Sequence, residues 1–505
     1  MPAPPPAPHV DTTGSDRAPL SILMVASEAL PFVKTGGLAD VAGSLTTALG
    51  RLGHEVTLVL PLYREVGWVA APYARCHLSL GGHWYDVGFV ERSLGARARV
   101  VLIECDELYD RDGVYGSGGR DHPDNAVRFA LLARAALELV LRARRPPDVI
   151  HAHDWQSGLV PVYARTLFGA HPVFARLATV FTIHNIAYQG LFGVETMGAV
   201  DLPARAFSME GLEFWDQVSF LKGGINFSDG VTTVSQGYAR EILTPEYGYG
   251  FEGIMQARRA ALRGILNGID VEAWDPAHDR HIPAPFSARD LDGKRAAKRE
   301  LLRRFQLPVD GADAERPTIG LISRLVYQKG FDLVRDGLTE LGELGATFVV
   351  LGSGDPEYEE MWRMAAERFP RTIAVQIGYD EALAHLVEAG ADMFLMPSRY
   401  EPCGLNQMYS MRYGTVPIVR ATGGLDDAVD DLDERTGTGT GFKFHEFDAS
   451  AMLATLRDAI RVYGDHDRWR LVQRAGMRRD FSWTVSAARY VQEYADLLAI
   501  ARGQP

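Results

Sequence analysis

Along this chain the apolar positions alternate between two patterns. Short continuous apolar runs, bounded by glycine, proline or an acid, read as buried strands. They cover residues 21–28, 55–61, 98–105, 148–155, 177–185 and 230–235, and then 318–324, 347–352, 373–379, 391–396 and 415–420. Between them, apolar residues recur at helical spacing over 38–49, 126–144, 405–412 and 487–500. Strands alternating with helices predict an α/β class with parallel sheets covered on both faces. N-G-I-D (267–270) and W-D-P (274–276) read as a linker into a second α/β unit. The expected organisation is a tail over 1–19, a first lobe over 20–265 completed by a returning helix within 482–505, and a second lobe over 266–481. The helix predicted over 294–305 is basic and amphipathic and reads as solvated surface.

A length of 505 residues exceeds one ordinary core and agrees with two or three domains. A net charge of -13 argues against nucleic acid or an anionic membrane as the main partner. The three cysteines, Cys76, Cys105 and Cys403, are too few and too scattered for a disulfide framework or a zinc ribbon, which points to a reducing, cytoplasmic setting. No run approaches the roughly 20 apolar residues that span a bilayer. The proline-rich first residues lack the apolar segment of a signal peptide and are expected to be disordered.

The chemistry concentrates at predicted strand ends, where open α/β sheets bind ligands. One stretch, 397–425, runs strand end, loop, helix, strand, loop; it carries Glu401, Cys403, Gly404 and Leu405, then Thr422, Gly423 and Gly424. Glycine beside a helix start suits a phosphate. Glu401 reads as a sugar-hydroxyl acceptor, a general base or a nucleophile; the plainer reading is a helix-capping carboxylate. Lys34, Gly36 and Gly37 form a second glycine loop before a helix, matching neither a Walker A nor a G-x-G-x-x-G pattern. Arg324 and Lys329 follow the strand 318–324, and two cations there suit a diphosphate leaving group. His151 and His153 share one face of a strand. With His184 they permit a zinc-hydrolase reading; the plainer one makes one ring a core histidine and lets the other line a pocket. Tyr379 ends a strand and can stack on a base. The D-x-D tripeptides at 431–433 and 465–467 read as solvated surface.

Seven motifs together resemble bacterial glycogen synthases and plant starch synthases: K-T-G-G-L-A-D-V (34–41), H-D-W (153–155), I-H-N-I-A-Y-Q-G (183–190), N-G-I-D (267–270), S-R-L-V-Y-Q-K-G (323–330), E-P-C-G-L (401–405) and T-G-G-L (422–425). The resemblance runs from Ser21 to the C-terminus. It implies a GT-B fold, two Rossmann-like lobes facing across a cleft, with the last helix returning to the first lobe. It implies glucose transfer from ADP-glucose to the non-reducing 4-hydroxyl of glycogen or another α-1,4-glucan, with retention, without metal or other cofactor, and with no nucleic acid or membrane partner. By matched position it makes Glu401, Arg324, Lys329, His184 and Asp154 the catalytic candidates. Lys34, Gly36, Gly37, Asn267, Tyr379, Cys403, Leu405, Thr422, Gly423 and Gly424 fall on the donor, and Tyr115 and Asn125 nearer the acceptor. Asn406, Gln156 and Asp426 depart from the common bacterial pattern. The diphosphate is shared by ADP-glucose and UDP-glucose, so the residues alone do not choose between them. The competing functions are a metal-dependent hydrolase using His151 and His153, and an inactive glucan-binding protein of the same fold.

Overall fold

The computed structural model describes residues 18–67 and 70–503. The expected disordered tail lies outside the described residues up to position 17. The chain divides into two compact units: one comprises the chain up to Val234, 239–268 and the segment from Trp483, and the other comprises Ser235–Tyr238 and Ile269–Ser482. No helix among the described residues is long and apolar enough to cross a membrane.

The first unit holds a nine-stranded sheet: β1 (Ser21–Val25), β2 (Glu55–Pro61), β3 (Ala74–Leu80), β4 (His83–Ser93), β5 (Ala98–Glu104), β6 (Val149–His153), β7 (Ala178–Ile183), β8 (Gly230–Thr233) and β9 (Leu262–Gly264). Their spatial order is β9-β8-β7-β6-β1-β2-β5-β4-β3. Seven strands are parallel; β3 and β4 run antiparallel at one edge, against the all-parallel expectation. The cause is local: Gly81-Gly82 turns the chain back, and β4 begins with alternating buried and exposed residues, as a half-covered edge requires. Helices α1 (Gly37–Arg51) and α2 (Asn125–Arg142) follow the periodic stretches at 38–49 and 126–144. The C-terminal helix, Trp483–Ala501, belongs to this unit. Its Trp483, Ala487, Tyr490, Tyr494, Leu497 and Leu498 share one core cluster with Ile22, Met24 and Val180 of the sheet. That stripe is the amphipathic face that the sequence carries at helical spacing.

The second unit holds β10 (Thr318–Ile322), β11 (Thr347–Gly352), β12 (Ile373–Ile377), β13 (Met393–Met396), β14 (Val416–Arg420) and β15 (Phe442–Phe444), in the order β12-β11-β10-β13-β14-β15. All its pairings are parallel, and the order is that of a dinucleotide-binding sheet. The basic helix Asp292–Arg304 departs from the solvated reading. It buries Lys294, whose Nζ donates to Ala389 O at 2.8 Å, Tyr413 O at 3.0 Å and Thr415 Oγ1 at 2.6 Å. Burial pushes this amine down to about 7.

Candidate active site

Each sheet has a point where the chain, having built strands outward in one direction, starts again in the other. In the first unit it lies between β1 and β6, and in the second between β10 and β13. The crevice beyond the carboxyl ends of such a strand pair is where open sheets hold ligands, and many of the sequence-predicted residues lie near those ends, Tyr379 and Asn267 lying beyond other strands.

In the first unit, β1 runs out at Ser27 and Glu28. Glu28 is a buried carboxylate that the motif reading passed over. It accepts from the Thr35 backbone N–H, from Thr35 Oγ1 at 2.9 Å, from the Gly36 N–H at 3.1 Å and from the Tyr115 hydroxyl at 3.0 Å. Burial raises its pKa, and these donors pull it partly back. The glycine loop therefore spends two N–H groups on an internal carboxylate. Lys34 is half-exposed and pairs with Asp40 at 2.9 Å, while Gly37 opens α1. The signal for Glu28 was present: an acid ends the strand ahead of a glycine loop, as Glu401 follows β13. Tyr115 also meets Ser27 Oγ at 2.7 Å. Asn125 is buried, gives its amide N–H to Tyr115 O at 2.8 Å and accepts from Arg128 at 2.7 Å, so it frames the Tyr115 loop from within.

At the end of β6, Asp154 takes a backbone conformation with φ 55, uncommon for a non-glycine residue. Its carboxylate accepts the His184 N–H at 2.7 Å and that of Asn185, fixing the turn beyond β7. Burial nevertheless lifts its pKa to about 7. His184 is half-buried, whereas His151 and His153 are fully buried. The ring left partly open is therefore His184, not either member of the H-A-H pair. Burial lowers His184 and His151 to about 3 and His153 well below the ordinary value, so all three are neutral near pH 7. Their nitrogens bond to Tyr494, Thr182 and one another instead of converging on a common point. Among the described residues no three His, Cys, Asp or Glu side chains are grouped to hold a metal. Asn267, beyond β9, is buried with its Oδ1 lacking a hydrogen-bond partner among the described residues.

In the second unit, Lys329 Nζ lies 2.5 Å from Glu401 Oε2, which also accepts from Ser398 Oγ at 3.0 Å. Local backbone forces the meeting. After the turn Tyr327–Lys329 the chain passes Gly330 at φ 75, where a Cβ would stand 1.9 Å from Pro397 O. Only glycine lets the lysine turn approach the end of β13 this closely. Arg324 is exposed beyond β10, and its side-chain hydrogen bond among the described residues is to Gln328 Oε1 at 3.4 Å. Asn406 opens helix α3 (Asn406–Arg412) and donates to Ile322 O at 2.7 Å, tying the helix start after Leu405 to the end of β10.

The two glycine loops of this unit touch. The Gly424 N–H donates to Glu401 O at 3.0 Å, and a Cβ on Gly424 would meet Cys403 O at 2.2 Å. Thr422 and Gly423 lead into helix α4 (Gly423–Ala428), whose Asp426 pairs with Lys443 at 2.8 Å. Tyr379 stands apart, 69% exposed past β12, with its hydroxyl 3.3 Å from Glu381. The structure thus gathers Lys329, Glu401, Cys403, Leu405, Asn406 and Thr422–Gly424 around one strand-end crevice. In the other unit it gathers the Lys34 loop, Tyr115, Asp154 and His184.

Residues 21–257 match the starch synthase catalytic domain, and 303–474 match the glycosyl transferases group 1 family. The glycogen synthase of Anaeromyxobacter sp. (strain K) is 50% identical over 481 residues, covering 95% of this chain and 100% of its own length. That of Koribacter versatilis (strain Ellin345) is 46% identical over 488 residues, covering 94% and 98%. The catalytic domain of starch synthase IV from Arabidopsis thaliana, bound to ADP and acarbose, superposes with a TM-score of 0.87 at 35% identity, covering 95% of this chain and all of that one. The chain belongs to the glycogen and starch synthase family and is a glucosyltransferase of the GT-B fold.

Proposed function

We propose that the chain transfers glucose from ADP-glucose to the non-reducing 4-hydroxyl of an α-1,4-glucan, glycogen in the cytoplasm, with retention at the anomeric carbon. The observation that carries this reading is the group at the carboxyl ends of β10 and β13: an exposed arginine, and a lysine held on a buried carboxylate. Arg324 and Lys329 meet the diphosphate as the glycosidic bond to it breaks and its negative charge grows. Lys329 has three N–H donors and spends one on Glu401, so two remain for phosphate oxygens. Backbone groups from Leu405 and around Gly423–Gly424 add dipoles to the same anion.

Glu401 Oε2 is taken by Lys329 and Ser398, which leaves Oε1 to accept from a sugar hydroxyl. A carboxylate tied to an ammonium group at 2.5 Å is a weak nucleophile, which favours the role of hydroxyl ligand. His184 and Asp154 hold the glucose from the first unit's residues, Lys34 adds charge on the donor side, and Tyr115 stands nearer the acceptor. Tyr379, exposed beyond β12, offers its ring to the adenine. The Arabidopsis starch synthase captured with ADP and acarbose supports an adenine donor and an oligosaccharide acceptor.

The test is transfer of radiolabelled glucose to glycogen from ADP-glucose and UDP-glucose side by side. Faster labelling from ADP-glucose is expected. Equal or faster labelling from UDP-glucose overturns the donor assignment, and no labelling from either overturns the reaction.

A further inference from the structure

The H-A-H pair remains unused by this reading, although both rings are fully buried. Burying two imidazoles is costly unless their polar atoms are matched. Their hydrogen bonds form two sets, one from the C-terminal helix through His151 and one from His153 to His184, and the two imidazole rings pack against each other between them. The Tyr494 hydroxyl lies 2.8 Å from His151 Nδ1, and among the described residues this is its hydrogen bond. Burial keeps that phenol protonated, so its O–H donates to Nδ1. His151 then carries its own proton on Nε2 and donates to Thr182 Oγ1 at 2.6 Å, next to Thr232 Oγ1 at 2.5 Å. The His151 ring, held at both nitrogens, packs 4.1 Å from the His153 ring.

His153 Nδ1 faces His184 Nε2 at 3.0 Å. Both rings are neutral, so one of these two nitrogens carries the shared proton and the other accepts it. Were His184 the donor, His153 would hold its own proton on Nε2, a buried atom with no partner among the described residues. A buried orphan N–H is the rarer outcome than a buried orphan acceptor. The proton therefore sits on His153 Nδ1, and His184 accepts it at Nε2. The tautomer of His184 follows, with its proton on Nδ1.

We propose that His153 is a positioning residue that locks His184 in the Nδ1–H tautomer, so that His184 presents a hydrogen-bond donor to an oxygen of the transferred sugar, and that Tyr494 and His151 brace His153 for this task. The inference rests on the reading of His184 as a glucose ligand. The brace also gives the returning C-terminal helix a function beyond filling the core of its unit, because its tyrosine fixes the His151 ring that packs on His153.

Three measurements test the proposal. Nitrogen-15 NMR of the histidine rings in the unaltered protein needs no substitution: Nδ1 protonated and Nε2 bare at His184 is the expected pattern, and the reverse overturns it. His153→Leu removes the donor, and about a tenfold or greater fall in kcat is expected. His153→Asn sets an amide N–H near the place of Nδ1 and is expected to restore most of that loss, whereas His153→Gln, whose amide reaches toward Nε2, is not. Equal activity in the Leu and Asn variants overturns the donor role. His184→Ala separates the two levels: unchanged transfer there sinks the glucose-ligand reading itself. A strong loss with His184→Ala beside a normal rate with His153→Leu sinks only the positioning role.

Discussion

Two buried carboxylates end central strands in this molecule, one per unit, and they are satisfied in opposite ways. Glu401, 5% exposed beyond β13, is paired with an ammonium group; Glu28, 3% exposed beyond β1, is caged by two backbone N–H groups and two hydroxyls. The second unit answers burial with countercharge and stations a further cation, Arg324, in the open. The first answers it with dipoles, and its histidines are stripped of charge. On the proposed function the second unit's cations meet the departing diphosphate, whose developing anion calls for fixed charge. On the same reading the first unit's His184 and Asp154 orient a neutral sugar, and fixed neutral donors and acceptors do so without a counterion to displace.

The sharpest way to break this contrast is to remove the cation of the pair. Lys329→Ala takes one fixed charge from the leaving group, worth about 3 kcal/mol, so kcat is expected to fall on the order of a hundredfold or more. It also strands Glu401 without its partner, and the melting temperature should drop. Adding Glu401→Gln to Lys329→Ala is expected to recover stability without recovering rate. A double variant as slow as the single but no more stable would show that the pair is not what holds Glu401 in place.

Arg324→Ala should act on rate alone. The guanidinium is exposed and makes no ion pair among the described residues, so the melting temperature is expected to stay within a degree or two while kcat/KM falls about a hundredfold. Arg324→Lys should recover only part, because an ammonium lacks the planar fork that grips two oxygens. Wild-type rates from the alanine variant would remove Arg324 from the site.

The first unit predicts a different kind of loss. All four partners of Glu28 donate, so Glu28→Gln turns an amide N–H group toward donors and breaks the cage. Loosening of the Lys34 loop and Tyr115 together should raise the KM for the donor about tenfold and lower the melting temperature. A changed melting point with unchanged KM would make Glu28 a stability residue only.

Much of this was legible in the sequence, for a physical reason. Parallel strands buried on both faces must be continuously apolar, so β2 and β11 were read to the residue and β1, β5–β8, β10 and β12–β14 to within a few positions, whereas the antiparallel β3 and β4 and the three-residue edge strands β9 and β15 were not read. The motifs also fall at strand ends, among them those of β6, β7, β10, β13 and β14. What escaped depends on partners far away in the chain. Lys294 follows the pattern of a surface helix, yet its acceptors are Ala389, Tyr413 and Thr415. His151 and His153 share a strand face as predicted, but only the neighbouring strand and the C-terminal helix decide that both are covered and that His184 is left partly open.

The smallest expected effect tests the neutrality of the first unit through pH. Asp154 titrates near 7 in the folded protein against 3.8 for a free side chain, so between those values the native state holds a proton that the unfolded chain has released. Its contribution to stability is therefore largest in acid and is lost as pH rises toward 7. The histidines oppose it. The native state refuses protons that unfolded His151, His153 and His184 accept below 6.5, so their contribution is present above 6.5 and is lost as pH falls toward 3. Three groups outweigh one, and the protein should lose stability on acidification. Asp154→Asn removes the opposing group, so its stability should fall more steeply between pH 6.5 and 4, by at most about 1.4 kcal/mol per pH unit relative to the unaltered protein. Urea unfolding at half-unit pH intervals would reveal this. Parallel curves for the two proteins would mean that Asp154 stays ionised in the folded protein.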